Sequence, residues 1–179
     1  MRVIAGVARG VRLSAPRDRG TRPITDRVKE TLFGILGERV VDARVLDLYA
    51  GSGAIGIEAL SRGAACATFV EQARAALSAI RDNLARAHLE ELAAVQAADV
   101  MRWLASASRA ERYDLAFLDP PYEERAILAP LERLVPLLEP NATVVVKHFW
   151  RTEVPAVEGL RPWRERRFGE TALTFLEVP

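Results

Sequence analysis

Residues 45–60 restrict the fold of this 179-residue chain more than any other stretch. A short apolar run at 45–48 leads into a turn with glycines at 51, 53 and 56, and apolar residues at helical spacing follow. Glycines let a backbone approach a ligand closely, and the start of a helix offers unpaired N–H donors. The stretch therefore predicts a strand, a tight loop and a helix around a nucleoside cofactor. Taken literally, the glycine spacing also fits a dinucleotide fingerprint, with Glu71 at the distance expected of a ribose-binding acid.

Two acidic positions favour one kind of cofactor. Asp47 lies near the end of the predicted strand, where a carboxylate suits a cationic ammonium or sulfonium better than a pyrophosphate. Asp119, Pro120, Pro121 and Tyr122 follow a second apolar run, and an acid, two rigid rings and an aromatic side chain can clamp a flat, amine-bearing substrate. Together these features favour an S-adenosylmethionine (SAM)-dependent methyltransferase that acts on an exocyclic amino group.

Strand and helix patterns alternate from residue 45 onward. Strands are predicted at 45–50, 67–71, 94–98, 113–118 and 143–149, with helical stripes between them, the last at Ile127, Leu131, Leu134 and Leu138. Such alternation is typical of a doubly wound, mostly parallel α/β sheet, whose ligands bind beyond the carboxyl ends of the strands. Asp47, Glu71, Asp99 and Asp119 each fall at or near such an end, so we expect a site at this rim.

The two ends of the chain predict hairpins. Residues 2–6 and 11–15 favour a small N-terminal hairpin, and 160–178 favours an antiparallel pair that closes the sheet. Between them, Thr25 or Asp26 would cap a helix that ends at Gly37. We therefore expect a single domain over 1–179, with a basic hairpin arm at 1–20 and a catalytic core at 21–179.

Charge is distributed unevenly along the sequence. The net charge is +1, but residues 1–30 contain eight basic and three acidic side chains, which favours a polyanionic partner engaged from one side. A second group of arginines lies at 161–167. Cys66 is the sole cysteine, and neither a signal peptide nor an apolar run of membrane-spanning length is seen, so we expect a cytoplasmic, monomeric protein without membrane contact. Two separate histidines give no metal-ligand spacing, so no metal is predicted.

Several longer motifs resemble the RsmD family of ribosomal RNA methyltransferases. The likeness covers 4–13, 22–33, 46–63, 69–71 and 119–122. It implies a Rossmann-like Class I SAM-dependent fold with seven strands, and methylation of the exocyclic N2 of a guanine in bacterial small-subunit rRNA, either free or within an assembling 30S particle.

The resemblance also implies roles for individual residues. The loop Asp47, Ala50, Gly51, Ser52 and Gly53 would hold the methionine end of SAM, Glu71 the ribose hydroxyls and Asp99 the adenine amine. Thr25 and Asp26, in the segment after Arg22, would close over the cofactor. Asp119 and the Pro120 carbonyl would accept hydrogen bonds from the target amine, and Tyr122 would stack on the base. Pro121, Arg9, Arg12 and Arg22 are expected to bind the substrate.

One departure and several alternatives accompany this interpretation. Lys147 and His148 follow the fifth strand, where an acid is expected in relatives, so the substrate role of that region stays open. The motif at Asp119 serves N6-adenine methylation of DNA or RNA equally well, whereas protein-glutamine enzymes typically show Asn there. An NAD-dependent dehydrogenase and a non-catalytic RNA-binding module are the alternatives from other classes.

Overall fold

The fold is a seven-stranded sheet with helices on both faces. The computed structural model describes residues 1–15, 24–120 and 125–179. The strands are β1 (Arg44–Leu48), β2 (Cys66–Glu71), β3 (Ala93–Ala97), β4 (Tyr113–Leu118), β5 (Leu138–Phe149), β6 (Arg161–Phe168) and β7 (Thr171–Glu177). Their spatial order is β3-β2-β1-β4-β5-β7-β6, with β1 to β5 parallel and β7 antiparallel to both its neighbours. This arrangement confirms the predicted doubly wound sheet and its closing hairpin.

Within the described ranges, five α-helices cover the two faces of the sheet. They are α1 (Asp26–Leu36), α2 (Ala54–Ser61), α3 (Arg74–Ala87), α4 (Val100–Ser106) and α5 (Arg125–Leu134). One core cluster joins α1, α2 and α3 to the sheet, and a second joins α4 and α5 to its other face. Val45 of β1 packs into the first cluster and Leu46 into the second, which explains why the strand reads as a continuous apolar run. No helix in the described ranges is long and apolar enough to cross a membrane.

Two predicted boundaries were wrong, the first of them for a local reason. The first strand ends at Leu48 rather than at residue 50, because Tyr49 takes a positive φ of 58° that an extended strand does not allow. Leu138 begins β5 instead of ending the preceding helix. Pro130 nevertheless lies inside α5, so the predicted apolar stripe is helical up to Leu134.

The start and end of α1 were predicted correctly. Thr25 is the N-cap, and its Oγ1 accepts a hydrogen bond from the Val28 N–H at 3.3 Å. Gly37 is the C-cap, with a positive φ of 55°. Asp26 is the first helical residue, and its carboxylate pairs with the Arg2 side chain on the surface.

The N-terminal hairpin is short and is integrated into the domain. Arg2 and Arg12 form an antiparallel bridge, and the Val3 N–H donates to the Val11 carbonyl at 2.9 Å. Val3, Ala8 and Leu13 are buried in the core shared with α1 to α3. The basic residues of this segment therefore project from a packed hairpin rather than from an extended arm.

Candidate active site

Four strand ends bring acidic residues to one rim of the sheet. In the order β3-β2-β1-β4, Asp99 follows β3, Glu71 ends β2, Asp47 lies one residue before the end of β1, and Asp119 follows β4. These strands are parallel, so their carboxyl ends meet at the same edge. Three of these carboxylates are close enough to interact electrostatically, because Asp119 and Glu71 both raise the pKa of Asp47.

The glycine loop joins β1 to α2 in a conformation that other residues rarely adopt. The Gly53 N–H donates to the Ala50 carbonyl at 2.8 Å, and both Gly51 and Gly53 have positive φ. A Cβ on Gly51 would meet no atom closer than 4.0 Å, whereas one on Gly56 would lie 2.3 Å from Cε1 of Phe69. Gly51 is thus required for its φ, and Gly56 for the close approach of α2 to β2.

Glu71 fixes the glycine loop to the next strand. Its Oε2 accepts a hydrogen bond from the Gly51 N–H at 2.9 Å, and its Oε1 accepts from the Gln72 and Ala73 N–H groups, each at 2.8 Å. A carboxylate has about four lone-pair directions, so acceptor capacity remains for ligand hydroxyls. Glu71 therefore shapes the loop and keeps acceptor capacity at the rim of the sheet.

Asp47 is buried beneath the same loop. Its side chain is 3% exposed, and its Oδ2 accepts a hydrogen bond from the Gly56 N–H at 3.0 Å. Burial raises its pKa to about 8, the Gly56 hydrogen bond opposes that rise, and Asp119 and Glu71 add to it. The raised pKa favours the protonated carboxyl, and a cation beside it would favour the anion that the sequence predicts.

Asp119 forms an ion pair that the sequence did not predict. The Lys147 Nζ on β5 lies 2.6 Å from Asp119 Oδ2, with the Lys147 side chain 9% exposed and that of Asp119 37% exposed. Desolvation raises the pKa of Asp119, and the Lys147 ammonium opposes that rise. Lys147 and His148 were predicted to follow the fifth strand, but both lie within β5. Lys147, at the position where an acid was expected, supplies a counter-ion to the residue proposed for catalysis.

A cavity opens beside this ion pair. It has a volume of about 280 Å³ and is lined by Ile24, Thr25, Val28, Lys147, Phe168, Gly169, Glu170 and Thr171. The start of α1, the end of β5 and the turn between β6 and β7 thus enclose one space. His148 does not line it, because its ring is buried with Nε2 2.8 Å from Thr174 Oγ1.

Asp99 and Tyr49 occupy the rim between β3 and β1. Asp99 caps α4, since its Oδ1 accepts a hydrogen bond from the Arg102 N–H at 3.0 Å. Tyr49 was missed at the sequence level; burial raises its pKa, and the nearby Asp99 carboxylate adds to that rise. A bulky residue with positive φ beside a glycine loop is a signal of strain at a functional site, but φ is invisible in the sequence.

Some of the remaining predicted residues lie near the rim, and others lie away from it. Pro120 is buried beside Asp119, and Ser52 lies in the loop with its carbonyl accepting from Asn83 at 2.9 Å. Arg9 is exposed near the C-terminal end of α2, and the length of that helix, about 12 Å, separates it from the glycine loop. Arg12 is exposed in the second strand of the hairpin, which leads toward the glycine loop. The predictions for Arg22, Pro121 and Tyr122 lie outside the described residues. Within the described ranges no group of three or more His, Cys, Asp or Glu could hold a metal ion.

The sheet order and the site at its rim define a class. A parallel sheet with an antiparallel β7, a glycine loop after β1, and acids after β2, β3 and β4 make up the Class I SAM-dependent methyltransferase fold, whose methyl donor is SAM. Solved structures agree: the Escherichia coli protein yhhF is 37% identical with a TM-score of 0.85, covering 99% of this chain and 97% of that one. TrmN from Thermus thermophilus, 20% identical with a TM-score of 0.73, shares the fold over 87% of this chain and 49% of its own.

Sequence comparison identifies the family. The model described as Conserved hypothetical protein 95 matches residues 1–177. Ribosomal RNA small subunit methyltransferase D of Escherichia coli K12 is 43% identical over 141 residues, which cover 79% of this chain and 68% of that protein. YlbH of Bacillus subtilis is 38% identical over 177 residues, 97% of this chain and 96% of the relative. The chain belongs to this family, the RsmD family of rRNA methyltransferases.

Proposed function

We propose that this protein transfers a methyl group from SAM to the exocyclic N2 of a guanine in small-subunit rRNA. One observation supports the proposal above the others: Asp119 stands at the rim beside Asp47 and is paired with Lys147, which lines a cavity of about 280 Å³. The similarity to small-subunit rRNA methyltransferases supports RNA as the substrate.

The residues at the rim fit the donor. SAM supplies an electrophilic methyl group on a sulfonium and also carries a cationic ammonium. Asp47 loses its proton most readily beside such a cation, because opposite charge lowers the pKa of a carboxyl. Residues 50–52 of the loop are half-buried beside Glu71, which can accept hydroxyl hydrogen bonds, and Asp99 and Tyr49 flank the position proposed for the adenine.

Asp119 orients the target amine. The lone pair of a guanine amino group is delocalised into the ring, so the enzyme must fix its direction. Lys147 holds Oδ2 of Asp119, and the second carboxylate oxygen, with the Pro120 carbonyl, accepts the two N–H groups. Asp119 then stabilises the positive charge that develops on nitrogen and takes up the proton after transfer. Positioning of this kind can contribute roughly 7–11 kcal/mol.

We expect Arg12 to bind the substrate, and the sequence predicts the same role for Arg22, Pro121 and Tyr122. Stacking of Tyr122 on an extruded base would contribute about 1–3 kcal/mol. The protein would act as a monomer in the cytoplasm during rRNA processing, on rRNA that is free or within an assembling 30S particle.

Labelled methyl transfer tests the proposal. Small-subunit rRNA from cells that lack the enzyme is incubated with labelled SAM and either the natural protein or Asp119→Asn. The matched control is Asp82→Asn, which makes the same change at an exposed position of α3. We expect label in N2-methylguanine with the natural protein and the control, and a loss of at least about 100-fold with Asp119→Asn, in the range of one positioned proton-transfer group.

The alternatives predict different products. Label in N6-methyladenine would overturn the choice of base but keep the class. Unchanged activity of Asp119→Asn would remove Asp119 from the mechanism. Calorimetric binding of NAD without binding of SAM would refute the class.

A further inference from the structure

The edge strand β6 carries a dense row of arginines. Its eight residues include arginines at 161, 164, 166 and 167, all exposed. An edge strand is commonly protected from pairing with other chains by charge, and lysine is the usual residue for that purpose. Arginine instead offers a planar fork that binds phosphate oxygens in pairs. The row therefore has the chemistry of a phosphate-binding surface.

Ion pairs neutralise part of the charge on this strand, and they show which arginines remain available to bind phosphate. Arg161 pairs with Glu177 of β7. The one acid within the strand, Glu165, accepts a hydrogen bond from the Thr174 hydroxyl at 3.2 Å. Neither Arg164 nor Arg166 lies within 4.0 Å of a carboxylate in the described ranges.

The register divides these arginines between the two faces of the sheet. Arg164 lies opposite Phe175 and Arg166 opposite Leu173, both of which belong to the core on the α1 side. Arg167 lies opposite Ala172 and so projects to the other face. The turn after β6 is thus flanked by positive charge on both of its sides.

Trp150 holds the charge on the second face in place. The Arg167 guanidinium carbon lies 3.6 Å from the centre of the Trp150 ring, and that of Arg151 lies 4.7 Å from it. The backbone N–H of Trp150 donates to the Glu170 carbonyl at 3.0 Å, which fixes Trp150 beside the β6–β7 turn. Stacking on tryptophan orders an arginine without neutralising it.

This row leads to the candidate active site. β6 runs toward the catalytic rim, and Phe168, Gly169 and Thr171, at the turn where it ends, line the cavity beside Lys147. Lys147 in turn contacts Asp119. A polyanion bound along β6 would therefore approach the cavity from the side opposite the glycine loop.

We propose that Arg164, Arg166 and Arg167, the last held by Trp150, bind the RNA backbone next to the target nucleotide. We call this surface the β6 strip, and its assignment to RNA rests on the proposed function. It is separate from the N-terminal hairpin, which packs on α2 and α3. The strip positions the strand without reading its sequence, because phosphate contacts carry no direct sequence information.

Salt-dependent RNA binding tests the strip. The double variant Arg164→Gln/Arg166→Gln is compared with Arg74→Gln/Arg81→Gln, which removes the same charge from exposed positions of α3, a helix packed at the opposite edge of the sheet. Binding of an rRNA fragment is followed by fluorescence anisotropy between 50 and 300 mM salt, about the range over which phosphate contacts change affinity strongly.

For the strip variant we expect a weaker Kd and a salt slope smaller in magnitude by about 1.4, since each lost contact to a single strand contributes about 0.7. The control should keep the natural slope, and both variants should keep the natural melting temperature and SAM affinity. Equal slopes for the two variants would overturn the proposal.

A failure of the strip can be distinguished from a failure of the proposed function. If the natural protein methylates no rRNA but its binding still depends on Arg164 and Arg166, the function is wrong and the strip is retained. If methylation occurs normally in the strip variant at limiting RNA, the function stands and the strip is wrong.

Arg167→Gln and Trp150→Leu should weaken RNA binding alike, because Trp150 acts through Arg167. A Trp150→Leu protein with natural RNA affinity would contradict that link.

Discussion

Glu58 offers the sharpest test of how this fold is held together. Its side chain, on α2, is fully buried and accepts four hydrogen bonds. The donors are the Ile4 and Ala5 N–H groups at 2.8 and 3.1 Å, the Lys29 ammonium at 3.0 Å and the Arg62 guanidinium at 2.8 Å. One carboxylate thereby joins the N-terminal hairpin, α1 and α2.

Glu58→Gln keeps the size of the side chain and removes its charge. The amide nitrogen would face donors instead of accepting from them, and the Lys29 ammonium would remain buried without its counter-ion. Removing one partner of a buried ion pair costs about 3–5 kcal/mol. In a domain of this size about 1 kcal/mol shifts the melting temperature by roughly 2–4 °C, so we expect a fall of about 6–20 °C.

Thermal and urea unfolding measure this loss. Glu132→Gln, an exposed change on α5, is the matched control and should stay within about 0.5 kcal/mol of the natural protein. The double variant Glu58→Leu/Lys29→Met should recover much of the ion-pair loss, because an apolar pair can replace a buried ionic one. It should still lack acceptors for Ile4 and Ala5, at about 1–3 kcal/mol for each buried donor. A Glu58→Gln protein within 1 kcal/mol of the natural one, on the scale of a single ordinary hydrogen bond, would refute the reasoning.

Three further predictions concern the site. Gly56→Ala should lower the unfolding free energy by about 1–3 kcal/mol in urea titrations because its Cβ would meet Phe69, while Gly34→Ala, where no atom lies within 4 Å, should stabilise α1 by about 0.5–1 kcal/mol. The fold raises the pKa of Asp47 to about 8, so the protonated form is favoured and its contribution to stability falls as pH rises from about 4 to 8. Asp47→Asn should lack this loss, so its melting temperature should exceed that of the natural protein at pH 8 but not at pH 4. The same variant should bind SAM more weakly. Lys147→Met removes the charge that opposes the raised pKa of Asp119, so the acidic limb of the kcat/KM profile should move to higher pH, and an unmoved limb would show that Lys147 does not act on Asp119.

Local residue chemistry determined the alternation of elements and the position of the glycine loop. The apolar run of β4 and the cap and stop of α1 follow from side chains within a few positions of each other, so the sequence placed the cap at Thr25 or Asp26 and the stop at Gly37. The acids at the rim followed from one rule, that parallel strands end at the same edge. The first strand was overextended because nothing in the sequence shows that Tyr49 takes a positive φ.

Contacts between distant segments were decided by the tertiary structure alone. Lys147 pairs with Asp119 across 28 positions, and Glu58 reaches Ile4 across 54, because strand order and helix docking bring them together. The sequence likewise did not show which face of the sheet Arg166 and Arg167 each take, because that depends on the register between β6 and β7. Sequence fixes which side chains a segment offers over a few residues, whereas burial and charge pairing depend on neighbours that only the folded sheet supplies.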